Sequence, residues 1–146
     1  MRVKYQILIS HFMSANNNNK RVRRAIVEIL LKHGACTREQ VAEHLQTYKG
    51  VKNVPSPNSL SALMSKNPQV VIVGREKVEM TSGINTHHML FDIDRTVIKT
   101  KDDLILTRPI SVMTPSERKK AKQCGKCGRT RIMPEGSDTC LTCLRQ

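Results

Sequence analysis

The chain has 146 residues, a length that allows one modest hydrophobic core and a small appended module. Lys and Arg number 25 against 12 Asp and Glu, and the formal net charge of +13 favours a polyanionic partner, most often nucleic acid, over a charged surface that binds nothing. There is no Trp and there are only two Tyr and two Phe, so the core must be aliphatic; this argues against RNA-binding sheets that stack bases on aromatic side chains.

The start of the chain and the cysteine content bear on location. Five cysteines without a secretion signal indicate a reducing compartment. The apolar run at residues 7–9 is too short for a signal peptide and too short to span a bilayer. We therefore expect a soluble intracellular protein, in the cytoplasm or in the nucleoid or nucleus, with no membrane partner. Residues 1–19 are predicted to be an N-terminal arm, although the apolar alternation at residues 3–9 also fits an edge strand.

Two helices are predicted first along the chain. Residues 22–33 carry apolar side chains at three- and four-residue spacing, and Gly34 follows as a left-handed C-cap. Thr37 and Gln40 have the spacing of a capping box, which predicts that a second helix begins there.

A third helix is predicted after a turn that contains two prolines and a glycine. It begins near Ser56 or Asn58 and stops at Asn67 and Pro68, because proline cannot continue a helix. Its predicted buried face consists of Leu60, Leu63 and Met64.

After the third helix the apolar period changes from 3.6 to 2. This predicts strands at residues 70–80 and 88–93, joined by a hairpin tip at residues 81–87. Three helices followed by a β-hairpin resemble the winged helix-turn-helix family, over residues 20–94. The resemblance rests on element order, and the connection at residues 47–56 is longer than the usual tight turn of that family.

The resemblance implies that the third helix lies in the major groove of DNA. Asn58, Ser61 and Ser65 fall on the face opposite the apolar stripe, where Asn58 would pair with adenine and the two serines would contact bases or phosphates. An ordinary solvated helix face is the alternative interpretation.

Residues 95–113 are predicted to be a linker or a small hairpin. Thr114, Pro115 and Glu117 then provide a cap, a first-turn proline and an acidic third position, which together predict a helix start. The domain from residue 114 to residue 146 is thus expected to combine a basic helix with a cysteine module.

The strongest chemical signal is the pair of Cys-x-x-Cys motifs formed by Cys124 with Cys127 and Cys140 with Cys143, twelve residues apart. Four soft ligands at this spacing suit tetrahedral zinc, and four thiolates leave no open position for catalysis. The arrangement resembles a zinc ribbon or zinc knuckle, and predicts one structural Zn²⁺ ion held by a hairpin with a strand at residues 130–133 and a turn at residues 134–137. Two disulfides or a redox dithiol are the alternatives.

The fifth cysteine and the acidic and histidine residues give weaker signals. Cys36 is predicted to be a buried small hydrophobe. His87 and His88 are placed at the hairpin tip, without suitably spaced partners for a second metal. Asp92 and Asp94 share one strand face and are a faint nuclease signal, so the protein is expected not to be an enzyme.

The sequence as a whole predicts an α+β protein, with a winged helix domain followed by a small zinc ribbon. The predicted function is non-catalytic binding of double-stranded DNA in preference to RNA, either sequence-tolerant or sequence-specific, as a transcription factor or regulator, with RNA polymerase or another nucleoprotein machine as a further partner. The alternative is a basic, zinc-containing structural component of a ribonucleoprotein or replication assembly. The predicted nucleic-acid contacts are Lys20, Arg21, Arg23, Arg24, Lys49, Lys52, Asn58, Ser61, Ser65, Lys66, Arg75, Lys77, Arg118, Lys119, Lys120 and Lys122.

Overall fold

A computed structural model describes residues 19–79, 83 and 85–145. The predicted N-terminal arm, except for its last residue, lies outside the described residues, as does much of the predicted hairpin tip. Within the described part, the fold is mixed α+β, with six α-helices, a two-stranded hairpin and a C-terminal cluster of cysteines.

The first two helices have the ends that their sequences predict. Helix α1 covers residues 19–33 of the described chain, and Gly34 follows it with a φ of 86°. A left-handed residue of this kind is accessible to glycine without a steric penalty. Helix α2 covers Arg38–Gln46, and the predicted capping box is confirmed, because the Thr37 side chain accepts from the amide of Gln40 while the Gln40 side chain accepts from the amide of Thr37.

Helix α3 covers Pro57–Ser65, with Ser56 as its N-cap. Its predicted apolar face is buried and consists of Leu60, Leu63 and Met64. The chain leaves the helix at the buried Asn67, whose side chain accepts from the amide of Gln69 at 3.0 Å. This local bond replaces the next helical turn and directs the chain into the hairpin.

Strands β1 (Val70–Glu79) and β2 (Asn85–Ile93) form an antiparallel hairpin with a bulge between Ile72 and Gly74. Cys36 joins the outer edge of β2 through a bridge to Phe91, with N–O distances of 2.8 and 2.9 Å. Cys36 is buried, as predicted. The hairpin is thereby tied to the segment between α1 and α2.

The prediction of a linker or small hairpin at residues 95–113 is wrong. This segment contains helix α4 (Lys101–Leu106) and a short 3₁₀ turn (Ile110–Val112). Thr100 and Asp103 form a complete capping box, and Asp102 and Asp103 lie in the first turn of the helix.

Helix α5 covers Pro115–Lys120, and the predicted cap is confirmed, since the Thr114 side chain accepts from the Glu117 amide. Beyond α5 lie two short paired strands, β3 (Lys122–Gln123) and β4 (Thr130–Arg131), and finally helix α6 (Leu141–Leu144).

The hydrophobic core is aliphatic and continuous from α1 to α6. Its most deeply buried members include Ile26 and Leu30 from α1, and Leu104 and Leu141 belong to the same cluster. The core therefore extends across both predicted boundaries, at residues 94 and 113. None of the helices in the described part of the chain combines the length and the apolar character needed to cross a lipid bilayer.

Candidate metal centre and nucleic-acid surface

The structure brings Cys124, Cys127, Cys140 and Cys143 together at the C-terminal end of the fold. Their sulfur atoms all lie within 4.8 Å of one another. The first pair sits on the turn between β3 and β4, where the Gly128 amide donates to the Cys124 carbonyl at 2.9 Å. In the second pair, Cys140 is the N-cap of α6.

The sulfur–sulfur distances fit one tetrahedral metal ion. A Zn–S distance of about 2.3 Å places the sulfurs of a regular tetrahedron about 3.8 Å apart. The observed separations are 4.0 Å for Cys124–Cys143, 3.6 Å for Cys127–Cys140 and 3.5 Å for Cys140–Cys143. All four thiols are free, and these distances are far longer than the S–S bond of a disulfide, about 2.05 Å. The donor set therefore fits a soft divalent cation and does not fit disulfides.

Backbone amides prepare one of the sulfurs to act as a thiolate. The Cys124 sulfur accepts from the amides of Cys140, Lys126 and Cys127 at 3.3, 3.4 and 3.5 Å. These bonds, that from Cys140 first, lower the pKa of Cys124 to about 5. The hydrogen bond between the Cys140 and Cys143 sulfurs, together with burial, raises the pKa of Cys143 to about 12. A divalent cation is what would bring all four sulfurs into the ionised form.

The predicted hairpin of the cysteine module is placed incorrectly. We expected a strand at residues 130–133 to lead through a turn to a second strand. The turn exists, since the Ser137 amide donates to the Pro134 carbonyl at 3.0 Å, but the following residues lead into α6. The hairpin instead consists of β3 and β4 and encloses the first cysteine pair. The burial of Leu141 in the main core is the interaction that favours a helix there.

Two arginines lie beside the metal centre: Arg131, which the sequence places in a basic run that leads into the cysteine module, and Arg145, which the sequence did not single out. Arg145 donates through Nη1 to the Asp103 carboxylate at 2.7 Å and to the Val97 carbonyl. Arg131 is buried; burial and Arg129 lower the pKa of its guanidinium, while the sulfurs of Cys140 and Cys127 raise it. Because a zinc ion with four thiolates carries a net charge of about −2, a buried cation beside it reduces the cost of that charge.

The outer face of α3 is polar and largely accessible. Asn58 and Ser65 are exposed, as predicted for base contacts. Ser61 is half-buried, and its hydroxyl accepts from Nη1 of Arg38 at 3.1 Å. The Arg38 guanidinium is held at 2.7 Å by Glu39. This face therefore carries one more cation than the sequence indicated, together with a carboxylate that partly offsets it.

Cations of the hairpin, of the loop between α2 and α3 and of the end of α3 are exposed. Arg75 and Lys77 share one side of β1, two residues apart, and are both exposed. Lys49 and Lys52 are exposed in the loop before α3, and Lys66 is exposed at its C-terminal end.

The predicted location of the two histidines is wrong. His87 and His88 lie within strand β2 and not at the hairpin tip. The Nδ1 atom of His88 is 3.3 Å from the Glu39 carboxylate, so the strand meets the start of α2 at this point.

The basic cluster at the start of α1 divides into two parts. Arg21 is exposed and Arg24 is half-buried, and both line a pocket with Lys49. Lys20 and Arg23 are half-buried; Nε of Arg23 has no hydrogen-bond partner within the described residues. These four residues thus do not form a single solvated run.

The second predicted basic cluster lies in the last turn of α5 and at the start of β3. The side chains of Arg118, Lys119, Lys120 and Lys122 are all exposed. Lys120 and Lys122 line a shallow pocket with Glu135 and Asp138 from the turn of the cysteine module. Two of the four cations therefore lie beside carboxylates, which reduce the positive electrostatic potential at this part of the surface.

Asp92 and Asp94 each have local partners. Asp92 accepts from Arg95 Nε at 2.9 Å and from the Ile93 amide at 2.8 Å, and Asp94 accepts from the Thr96 amide and hydroxyl at 3.1 and 2.5 Å. Both carboxylates therefore help to hold the turn that follows β2.

Comparisons with known proteins add little to this description. No family model matches the chain, and no curated protein matches it. A similar solved structure is that of a protein from an uncultured marine organism, named only as a candidate nucleic acid binding protein. It shares 18% sequence identity at a TM-score of 0.44, over 54% of this chain and 84% of that chain. A similarity this distant carries no inference about function.

Proposed function

We propose that this protein is a non-catalytic, zinc-containing protein of the winged helix type that binds double-stranded DNA inside the cell, as a transcription factor or regulator. The observation that carries the proposal is the polar outer face of α3, built from small side chains and flanked by the exposed cations of β1. Small side chains allow a helix to approach base edges closely, and cations on either side suit the two phosphate backbones of a groove.

The order of elements supports this docking. Helix α3 follows α2 and precedes a hairpin whose strands are 10 and 9 residues long. In the proposed complex, Asn58 would offer its amide to adenine, and the Arg38–Ser61 pair would contribute a hydroxyl held in one orientation and a guanidinium beside it. Arg75 and Lys77 would neutralise phosphates and would not distinguish bases.

The metal in the proposed protein is one structural zinc ion. Zinc would cross-link the β3–β4 turn to the start of α6 and thereby hold these two chain segments together. All four protein ligands would be thiolates, so no position would remain open for a substrate. A nucleoprotein partner such as RNA polymerase would meet the exposed cations of α5.

The proposal is tested by measuring binding to a short DNA duplex and to a structured RNA of equal phosphate number at matched salt. We expect tighter binding to the duplex. Asn58→Ala should reduce the difference in affinity between duplexes of different sequence, whereas Lys77→Ala should weaken binding to all duplexes alike. The matched control is Lys99→Ala, which removes the same charge from an exposed position outside this surface.

Tighter binding to structured RNA would overturn the proposal and favour a structural component of a ribonucleoprotein. Equal losses in Lys77→Ala and Lys99→Ala would show that the hairpin has no special role and that only total charge matters. Cleavage of the duplex in the presence of magnesium or manganese would contradict the non-catalytic part of the proposal.

A further inference from the structure

A pocket of about 350 Å³ lies between α1 and the loop that follows α2, and it shares no residue with the pocket beside Ser61 and Arg38. Four cationic side chains line it: Arg21 and Arg24 from α1, Lys49 from the loop, and Arg108 from just after α4. Residues far apart in sequence have thus been brought to one concavity. Sequence patterns did not indicate Arg108, because a single arginine before a proline has no recognisable spacing.

Arg108 is buried to an unusual degree for a cation, with only 6% of the residue exposed. Its Nη1 atom donates to both oxygens of Glu117, at 2.6 and 3.0 Å. Its Nε atom, in contrast, has no hydrogen-bond partner within the described residues. A buried arginine with incomplete hydrogen bonding is costly to the fold, and such groups are commonly satisfied by an anion or by water.

Crowding of positive charge in the pocket is visible at Arg24. Burial lowers the pKa of the Arg24 guanidinium first, and the positive charges of Arg108 and Arg21 lower it further, although Glu117 and Glu28 partly offset them. Like charges held this close repel one another unless an anion lies between them.

The carboxylates near the pocket are engaged elsewhere. Glu28 accepts a hydrogen bond from the Tyr48 hydroxyl, and Glu117 forms an ion pair with Arg108. Glu28 is the acidic member of the lining, against four cations. The field inside the pocket is therefore positive, and Tyr48 holds the single carboxylate of the lining at one wall.

We propose that this pocket binds a phosphate group, held by Arg21, Arg24, Lys49 and Arg108. Arginine suits phosphate because its planar group donates two parallel hydrogen bonds, and lysine adds a point charge. The phosphate belongs either to a nucleic-acid backbone, in which case the inference rests on the proposed function, or to a free phosphorylated molecule.

The surroundings leave room for the remainder of such a ligand. A second pocket of about 510 Å³ adjoins the first and shares Glu28, Tyr48 and Lys49 with it. Lys32 and Lys101 add two further cations to that second pocket. A chain of phosphates would meet cations in both pockets, with Lys49 common to the two, and a small phosphate ester has space for its organic part.

The site is tested first by titration with inorganic phosphate. Binding is monitored through the amide chemical shifts, and chloride keeps the ionic strength constant. We expect saturable shifts at residues 21–28, 48–51 and 108. Lys49→Ala and Arg24→Ala should each weaken phosphate binding by about tenfold, as expected for one charged hydrogen bond. Lys99→Ala should leave the phosphate affinity unchanged. Because Lys49 is exposed, Lys49→Ala should fold normally, so a loss of phosphate binding in this variant reports on the site and not on folding.

The second arm uses a short DNA duplex with the same variants and identifies the source of the phosphate. The site belongs to a nucleic-acid backbone if Lys49→Ala loses more duplex affinity than Lys99→Ala does and if phosphate competes with the duplex. The site belongs to a free phosphorylated molecule if Lys49→Ala loses phosphate binding but keeps the same duplex affinity as Lys99→Ala.

The absence of saturable shifts, or equal phosphate affinity in all variants, would overturn the phosphate site. Failure of the proposed function has a different signature: the protein would bind phosphate in this pocket but would bind no duplex.

Discussion

Loss of the metal is expected to destabilise the main fold as well as the cysteine module. A metal bound at the four cysteines would hold the start of helix α6 through Cys140 and Cys143, and this helix carries Leu141 into the main core. Burial of a leucine side chain contributes about 1.5–3 kcal/mol. The Arg145–Asp103 ion pair adds about 1 kcal/mol, a low value chosen because 31% of the Arg145 side chain is exposed. Detachment of α6 should therefore cost the remaining fold about 3 kcal/mol.

The assay is urea unfolding of the metal-loaded protein and of Cys143→Ser, followed by far-ultraviolet circular dichroism, with metal content measured on the same samples. The variant should lack metal, keep most of its helical signal and unfold at a midpoint lower by about 1–2 M urea, given typical slopes for small domains. Arg145→Ala is the matched control; it should keep the metal and lose only about 1 kcal/mol. An unchanged midpoint in Cys143→Ser would refute the reasoning, because it would show that the module and the core fold independently.

Three further outcomes are expected. Duplex affinity should fall by orders of magnitude between about 50 and 200 mM salt, because each neutralised phosphate releases counterions; a flat dependence would contradict phosphate contacts. Burial and the bond to Glu28 raise the pKa of Tyr48 to about 12, above its usual value of about 10, so its contribution to stability is complete below pH 10 and disappears as the pH rises through 12. An ultraviolet titration should show this ionisation in the wild type and lack it in Tyr48→Phe. Burial raises the pKa of Asp103, but bonds from Arg145 and from two amides outweigh it and lower the pKa below its usual value of about 3.9. Its contribution is thus present above about pH 4 and lost as the pH falls through the lowered pKa, so Asp103→Asn should show a weaker loss of stability in acid than the wild type.

Short-range signals made much of the fold predictable. The Thr37–Gln40 capping box, the Ser56 cap and the Gly34 turn are each decided by residues within one helical turn, so the sequence alone is sufficient to locate them. The cysteine cluster belongs to the same class, since each Cys-x-x-Cys turn presents two sulfurs to one point.

The errors arose where long-range packing decides the structure. Helix α4 has six residues and no full apolar stripe, and it is stable because Leu104 enters the core and Asp103 meets Arg145 from the other end of the chain. The path after the Pro134 turn is decided in the same way, by a core position for Leu141. Neither contact leaves a local pattern that could be found in advance.

The same limit applies to the charged surface. Counting cations predicted a polyanionic partner and placed the cluster at the start of α1 among the nucleic-acid contacts, but it did not show which of these side chains lie together. Only the fold shows that Arg21 and Arg24 meet Lys49 and the buried Arg108 in one pocket. Amino-acid composition therefore indicates how much charge the protein carries, and the tertiary structure determines where an anion would bind.

Amide hydrogen exchange of the full chain, with and without a DNA duplex, tests the proposed mode of binding most directly. If α3 lies in the groove and the hairpin lies on the backbone, the duplex should slow exchange most at residues 57–65 and 74–77. Protection confined to α5 and the cysteine module, with α3 unchanged, would contradict the proposed docking.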